Sequence, residues 1–199
     1  FDADNGGRIE HIPYFIRSLE RQGVSGVVIE DKVGLKKNSL FKNQKNVNQD
    51  TIKKFCKKIK IIAESRKYED FMVVARIESF ILNKGLKDSL KRAVAYSKAG
   101  ADAILIHSKS NSPSEIFKFA KEFKKSKFYK PLIAVPSSYS KTKEGDLIKN
   151  GFKVVIYANQ LIRATYPAVL NTAKSILKNQ RSYEVESKIT SIKNIISLV

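Results

Sequence analysis

Cysteine occurs once in this sequence, at Cys56, so no internal disulfide framework braces the fold and a reducing, cytoplasmic setting suits it. The lone thiol sits in the lysine-rich stretch Thr51 to Ala63 and reads as core or half-buried filler, because a free cysteine behaves as a small hydrophobe. No apolar run reaches the about 18 residues that a membrane span needs, and no charged-then-apolar leader stands out, so no membrane partner is expected. Phe1 rather than Met comes first, and the sequence is read as part of a longer chain. Acidic residues are scarce: 19 Asp and Glu stand against 38 Lys and Arg, a formal charge of +19. Such an excess fits a non-catalytic basic protein that binds nucleic acid or acidic partners. The lysines, however, are spread over nearly every expected helix beside apolar faces (Lys53, Lys54, Lys57, Lys58, Lys118, Lys121, Lys174) and form no stripe. They read as solvated faces, and no nucleic-acid partner is expected. Positive potential of this kind still gathers an anionic metabolite.

Apolar runs alternate with amphipathic stretches, the pattern of repeated βα units on a parallel sheet. Five strands are expected at Val24 to Ile29, Phe71 to Ile77, Ala101 to Ile106, Leu132 to Val135 and Lys153 to Tyr157, with a sixth ending at Phe1. Helices are expected at Arg8 to Arg21, Asp50 to Glu64, Leu86 to Lys98, Ser114 to Lys125, Lys143 to Lys149 and Leu161 to Leu177. Gly23, Gly100 and Gly151 fall between a helix and the next strand, where a left-handed stop is common. No long linker and no repeat beyond the βα unit is visible. Polar and charged residues gather just after the strands, which favours the mouth of a (β/α) barrel, with a doubly wound open sheet as the alternative. The polar segment 33–48 reads as a lid over that mouth.

Two kinds of chemistry are suggested at the strand ends. Asp2 and Asp4, followed by Gly6 and Gly7, can place two carboxylates on one tight turn, and Glu30 ends the next apolar run. Three hard oxygen donors of this sort suit Mg²⁺, which keeps several waters and takes few protein ligands. Acidic residues at a loop start are also common turn formers and helix caps. Arg76 ends an otherwise apolar strand and needs an anionic partner, either a substrate oxyanion or Glu78. His107 and Ser108 follow the apolar run Ala103 to Ile106, where a histidine is either a site residue or a satisfied core residue.

The stretch from Glu30-Asp31-Lys32 through Lys36-Lys37-Asn38-Ser39-Leu40, the opening Asp2 to Gly7, residues 74–79, 100–108 and 156–168 together resemble the phosphoenolpyruvate mutase family of the isocitrate lyase superfamily. The resemblance covers essentially the whole chain. It implies an N-terminally incomplete (β/α)8 TIM-type barrel over residues 1–199, with about six of eight strands present. The activity implied is the isomerisation of phosphoenolpyruvate to phosphonopyruvate, a carbon–phosphorus bond-forming step of phosphonate biosynthesis. It implies Asp2 as a direct Mg²⁺ ligand, with Asp4 and Glu30 holding the ion's waters. It assigns Arg76 and His107 to the phosphoryl group and bridging oxygen, and Asn38 to a lid that closes on the phosphoryl. Lys36 and Ser39 shape that lid, while Ser108 and Arg163 support the pocket. A homotetramer, a dimer of dimers, is implied, with residues 180–199 a helical segment open to exchange between subunits. Lyases of the superfamily carry a cysteine in the lid, and Lys37-Asn38-Ser39 stands there instead.

Two departures accompany the resemblance. The family's nucleophilic aspartate and substrate-carboxylate loop have no counterpart in these residues, so the chain as given is expected to be an inactive fragment. Ala3 and Asn5 stand where family members usually have Gly and Thr. Phosphonopyruvate hydrolase, which passes the same phosphoryl group to water, is the nearest alternative activity.

Overall fold

Nearly continuous runs of branched apolar residues build the strands, as a parallel sheet with both faces covered requires. The computed structural model describes residues 1–34, 38–39 and 48–198. Most of the expected lid, Lys36 included, therefore lies outside the described residues. The first of two units, Phe1–Ile156, opens with a 3-10 turn (Ile9–His11) and α1 (Ile12–Arg21). There follow β1 (Gly26–Glu30), β2 (Lys32–Val33), β3 (Asn48–Gln49), α2 (Ile52–Ser65), β4 (Met72–Ile77) and α3 (Gly85–Lys98). The unit ends with β5 (Ala103–Ile106), α4 (Ser114–Phe123), β6 (Leu132–Ala134), α5 (Glu144–Lys149) and β7 (Phe152–Val155).

The five expected strands form one parallel sheet in the order β1-β4-β5-β6-β7. At the expected sixth position, Val28 N donates to Phe1 O at 2.8 Å, Ala3 N donates to Val28 O at 2.9 Å, and Asp2 bridges Val28 in parallel. The opening residues thus extend the sheet beside β1 by one short ladder. β1 and β4 approach so closely at Gly26 that an added Cβ would stand 2.8 Å from Met72 O, so only glycine fits there. Gly23, Gly100 and Gly151 all have positive φ, as their place between helix and strand predicts.

Strand alternation sorts the side chains onto two faces. Val27, Ile29, Val73, Ala75 and Ile77 join Ile12 and Ile16 of α1, Phe55 and Ile59 of α2, and Phe119 and Phe123 of α4 in the larger core. Each fully buried Ile or Phe there contributes about 1.5–3 kcal/mol over an exposed one, so this helix-covered face carries most of the stability. Val74, Ala103, Leu105, Ile133 and Val135 form a smaller cluster on the opposite face, with Val28 packed against it. By the same alternation Glu30 and Arg76 belong to the face of the smaller cluster, and Asp31 to the face under the helices.

β2 and β3 pair antiparallel, Lys32 with Gln49 and Val33 with Asn48. The two ends of the segment 33–48 are thus clamped side by side at the C-terminal end of β1. Cys56 is half-buried, its Sγ 3.5 Å from Ala95 O, in keeping with a filler. The second unit, Tyr157–Val199, holds α6 (Gln160–Asn179), α7 (Tyr183–Glu186) and α8 (Ile192–Ile196). α6 contains Pro167 and ends at Gln180 in the left-handed region. No helix among the described residues is long and apolar enough to cross a membrane.

Candidate active site

The opening turn is built by backbone conformations that few residues adopt. Asp4, Gly6 and Gly7 have φ of 51°, 78° and 68°, and Gly6 packs so tightly that a Cβ would lie 3.3 Å from Ile29 Cγ2. Asp4 N donates to Asp2 Oδ1 at 3.0 Å and Gly7 N to Asn5 Oδ1 at 3.0 Å. Glu30 N donates to Asp4 O at 2.6 Å, which fastens the turn to the end of β1. The sequence-predicted acids Asp2, Asp4 and Glu30 are thereby brought to one strand end.

Beside them lies a buried cluster of two acids and two bases. Register places Glu30 opposite Arg76 on the neighbouring strand. Arg76 Nε donates to Glu78 Oε1 at 2.7 Å, and its Nη2 lies 3.2 Å from Glu30 Oε2 and 2.9 Å from Ser39 Oγ. Lys32 Nζ donates to Ser39 Oγ at 2.8 Å and lies 3.4 Å from Glu78 Oε2 and 3.5 Å from Glu30 Oε1. Ser39 Oγ in turn donates to Glu78 Oε2 at 2.6 Å. Burial pushes the Glu30 carboxyl up, and Glu78 and Asp2 add to this, while Arg76 and Lys32 pull it back only in part. At Glu78 burial also favours the neutral acid, but Arg76, the Ser39 hydroxyl and Lys32 outweigh it and its pKa falls. Glu78 is thus the fixed anion of the cluster, and Glu30 the one that gains most from an added cation.

His107 is buried, and neither ring nitrogen has a hydrogen-bond partner among the described residues. Burial, with Arg76 and Lys32 nearby, lowers its pKa to about 4 against the opposing pull of Glu78. The imidazole is therefore neutral at physiological pH, with one N–H and one lone pair to offer a ligand. A folded pKa below the unfolded value means that the unfolded chain binds the extra proton first. Stability is expected to fall as pH drops from the usual histidine value towards about 4 and to level off below it. His107→Gln should flatten that part of the curve, and urea unfolding midpoints measured across this pH range test it.

The remaining expected residues fall in several places. Of the lid residues assigned to the site, Asn38 is exposed and Ser39 is buried, locked into the ionic cluster. Ser108 is buried and donates a short hydrogen bond to Glu115, and it accepts one from Ser110 N at 3.0 Å. Its hydroxyl is used to hold the chain after β5. Arg163 belongs to the second unit, where its Nη1 lies 3.4 Å from Asn159 Oδ1 on the first turn of α6. Glu78 is the anionic partner that Arg76 was expected to need if no substrate oxyanion filled that place, whereas the part of Lys32 in the cluster was not expected. A signal existed: Glu30 and Lys32, and Arg76 and Glu78, are opposite charges at i, i+2 and so share a face at adjacent strand ends.

Asp31, the neighbour of Glu30, turns to the other face. It is fully buried and accepts from Tyr96 OH at 2.7 Å, Gln49 Nε2 at 2.8 Å, Glu78 N at 3.0 Å and Arg92 Nη1 at 3.2 Å. Arg92 Nη1 also reaches Asp50 O at 2.9 Å, and Arg92 Nε reaches Asp88 Oδ2 at 2.8 Å. This second network ties the ends of β1, β3 and β4 to α3.

No three Asp, Glu, His or Cys side chains among the described residues converge as a ready set of direct metal ligands. The donor chemistry still fits a hydrated Mg²⁺: Asp2 is near enough to Glu30 to raise its pKa, and every candidate donor is a carboxylate oxygen.

The profile of the phosphoenolpyruvate phosphomutase family matches residues 1–177. The phosphoenolpyruvate phosphomutase of Tetrahymena pyriformis is 38% identical over 198 residues, which are 99% of this chain and 65% of that protein. A crystal structure of the phosphoenolpyruvate phosphomutase from Streptomyces platensis subsp. rosaceus superposes with a TM-score of 0.92 at 34% identity, covering 99% of this chain and 67% of that one. Phosphonopyruvate hydrolase, in a structure with oxalate and Mg²⁺, superposes at 0.86 with 34% identity over 99% of this chain and 66% of that one. The chain thus spans about two thirds of the length of these relatives, and its parallel sheet with flanking helices is that of the superfamily's TIM-type barrels. By profile, sequence and superposition alike, the chain belongs to the phosphoenolpyruvate phosphomutase family.

Proposed function

We propose that these residues form the metal- and phosphoryl-binding part of a Mg²⁺-dependent phosphoenolpyruvate mutase, an isomerase that interconverts phosphoenolpyruvate and phosphonopyruvate. The observation that carries the reading is the Arg76 guanidinium, aimed by Glu78 and set beside a neutral His107 that has no hydrogen-bond partner among the described residues. Arg76 supplies planar, always-charged donors to the phosphoryl oxygens, and Glu78 fixes the plane of that fork through Nε. A phosphoryl oxygen takes the Nη2 donor that Ser39 now holds. His107 gives an uncharged N–H, which positions an oxygen without adding a proton to it. Asp2, with Asp4 and Glu30 through water, holds the ion; when bound, Mg²⁺ steadies negative charge on the pyruvate oxygens. A closed lid would keep water from the transferred group, and the lid sequence Lys36 to Leu40 is what favours a mutase over a hydrolase in this reading. The 33–48 segment as lid, with Lys36 and Asn38, the exchange of 180–199 in a homotetramer, and a cytoplasmic setting belong to the same proposal.

Phosphorus NMR of phosphonopyruvate with Mg²⁺ tests the reading on two proteins: the 199-residue chain, and the same chain preceded by the leading third of a homologue. Phosphoenolpyruvate is expected from the extended protein and no turnover from the chain alone. Inorganic phosphate in its place would select phosphonopyruvate hydrolase, and an unchanged spectrum from a folded extended protein would remove both activities.

A further inference from the structure

Five lysines lie on α2, at positions 53, 54, 57, 58 and 60, and four of them are exposed as solvated surface lysines should be. Lys58 differs. It is half-buried, beside the core residues Phe55 and Ile59, and its Nζ donates to the main-chain carbonyl of Asn5 at 2.6 Å. A lysine ammonium is strongly hydrated, and the nearby Asp50 carboxylate offsets only part of the cost of drawing it from water onto a carbonyl 53 residues away, which leaves a cost that calls for a compensating use.

The place where it lands indicates the use. Asn5 is the centre of the turn that carries Asp2 and Asp4, between the left-handed Asp4 and the left-handed Gly6. The turn is tied to itself through Gly6 N to Ala3 O at 2.8 Å, and to β1 through Glu30 N to Asp4 O. The Lys58 contact adds a tether from the helix layer, and the Lys58 stem continues it: a Cβ on Gly6 would lie 3.9 Å from Lys58 Cδ. Asp4, a non-glycine residue at φ 51°, holds a costly conformation that persists only where neighbours hold it.

We propose that Lys58 is a positioning residue for the divalent cation, whose ammonium on the Asn5 carbonyl fixes the backbone that aims Asp2 and Asp4. This rests on the reading of Asp2, Asp4 and Glu30 as the cation site. Lys58 touches neither metal nor substrate; it acts as outer-shell partners of metal ligands do, by removing freedom from the ligand-bearing backbone.

The sign of the effect separates this role from plain electrostatics. Deleting a positive charge near a cation site strengthens cation binding by Coulomb's law, whereas loosening the ligand turn weakens it. Mn²⁺ titration followed by electron paramagnetic resonance, in place of Mg²⁺, reads the difference on the chain itself. Lys58→Met, which keeps the stem and loses the ammonium, is expected to weaken Mn²⁺ by about tenfold, and Lys58→Arg to bind close to the unsubstituted chain. Melting temperatures of the two variants, expected to be similar, keep a loss of fold from imitating the result. Unchanged or tighter Mn²⁺ binding by Lys58→Met, with Glu30→Gln still weakening it, overturns the role of Lys58 and leaves the cation site standing. Mn²⁺ binding indifferent to Asp2→Asn and Glu30→Gln overturns the cation site itself, and the role of Lys58 with it.

Discussion

Arg76→Ala is expected to lower turnover in the extended protein by at least about a hundredfold and to destabilise the fold by about 3–5 kcal/mol. Both effects have one source. Arg76 bridges two buried carboxylates, with Nε on Glu78 and Nη2 on Glu30, and their side chains are almost inaccessible: Glu30 is 6% exposed and Glu78 0%. Removing the guanidinium leaves Lys32, among the described residues, to balance both, at 3.4 and 3.5 Å, and an uncompensated buried charge is far costlier than the intact pair is worth. Arg76→Lys separates the two effects. A lysine restores a positive charge and should recover much of the stability, but a point charge cannot reproduce the planar fork. Urea unfolding should therefore rank the variants alanine, lysine, arginine, while phosphorus NMR groups lysine with alanine. Activity in Arg76→Lys equal to that of arginine would show that charge suffices and that the fork is incidental.

Arg92→Met is expected to cost about 3–5 kcal/mol in urea unfolding, again by stranding a buried carboxylate. Asp31 would keep Tyr96, Gln49 and the Glu78 amide but lose its cation. Burial already pushes the Asp31 carboxyl up, with Tyr96 and Arg92 the leading opposition; without Arg92 it rises further. An acid whose folded pKa exceeds its unfolded value binds its proton first in the folded state, so stability is lost as pH rises through the folded pKa. The deficit of Arg92→Met is accordingly expected to be largest at alkaline pH and to shrink towards acid. Asp31→Asn combined with Arg92→Met should be less damaging than Arg92→Met alone, because the amide carries no charge to strand. A pH-independent deficit, or a double variant no better than the single one, would show that packing, not charge, sets the cost.

Glu30, Arg76 and His107 were legible in the sequence because each ends an apolar run, and a parallel sheet delivers all such ends to one edge. The five strands and their helices were legible for the same reason, through runs that need two covered faces. The Asp31 network was not, because its partners lie far along the chain: Tyr96 is 65 positions away and Arg92 is 61. Nothing in a single sequence says that α3, packed against β4 and β5, sends Tyr96 and Arg92 to the end of β1. Lys58 was grouped with the solvated lysines of α2, since periodicity puts it at the border of the apolar face and cannot tell which border lysine finds a carbonyl. β2 and β3 escaped notice because two residues apiece carry no periodic signal, although the segment boundaries at Val33 and Asn48 fall on the very pair that closes it.

Adjacent acids where β1 ends, Glu30 towards the ionic cluster and Asp31, the next residue, towards α3, constrain how this part of the protein can diverge. A single inserted or deleted residue within β1 would shift the register and send each carboxylate to the opposite face. Glu30 would then meet Tyr96 and Arg92, and Asp31, one methylene shorter, would face Arg76. Neither network tolerates the exchange, so descent through this segment must proceed by substitution, with length changes confined to the connections at either end.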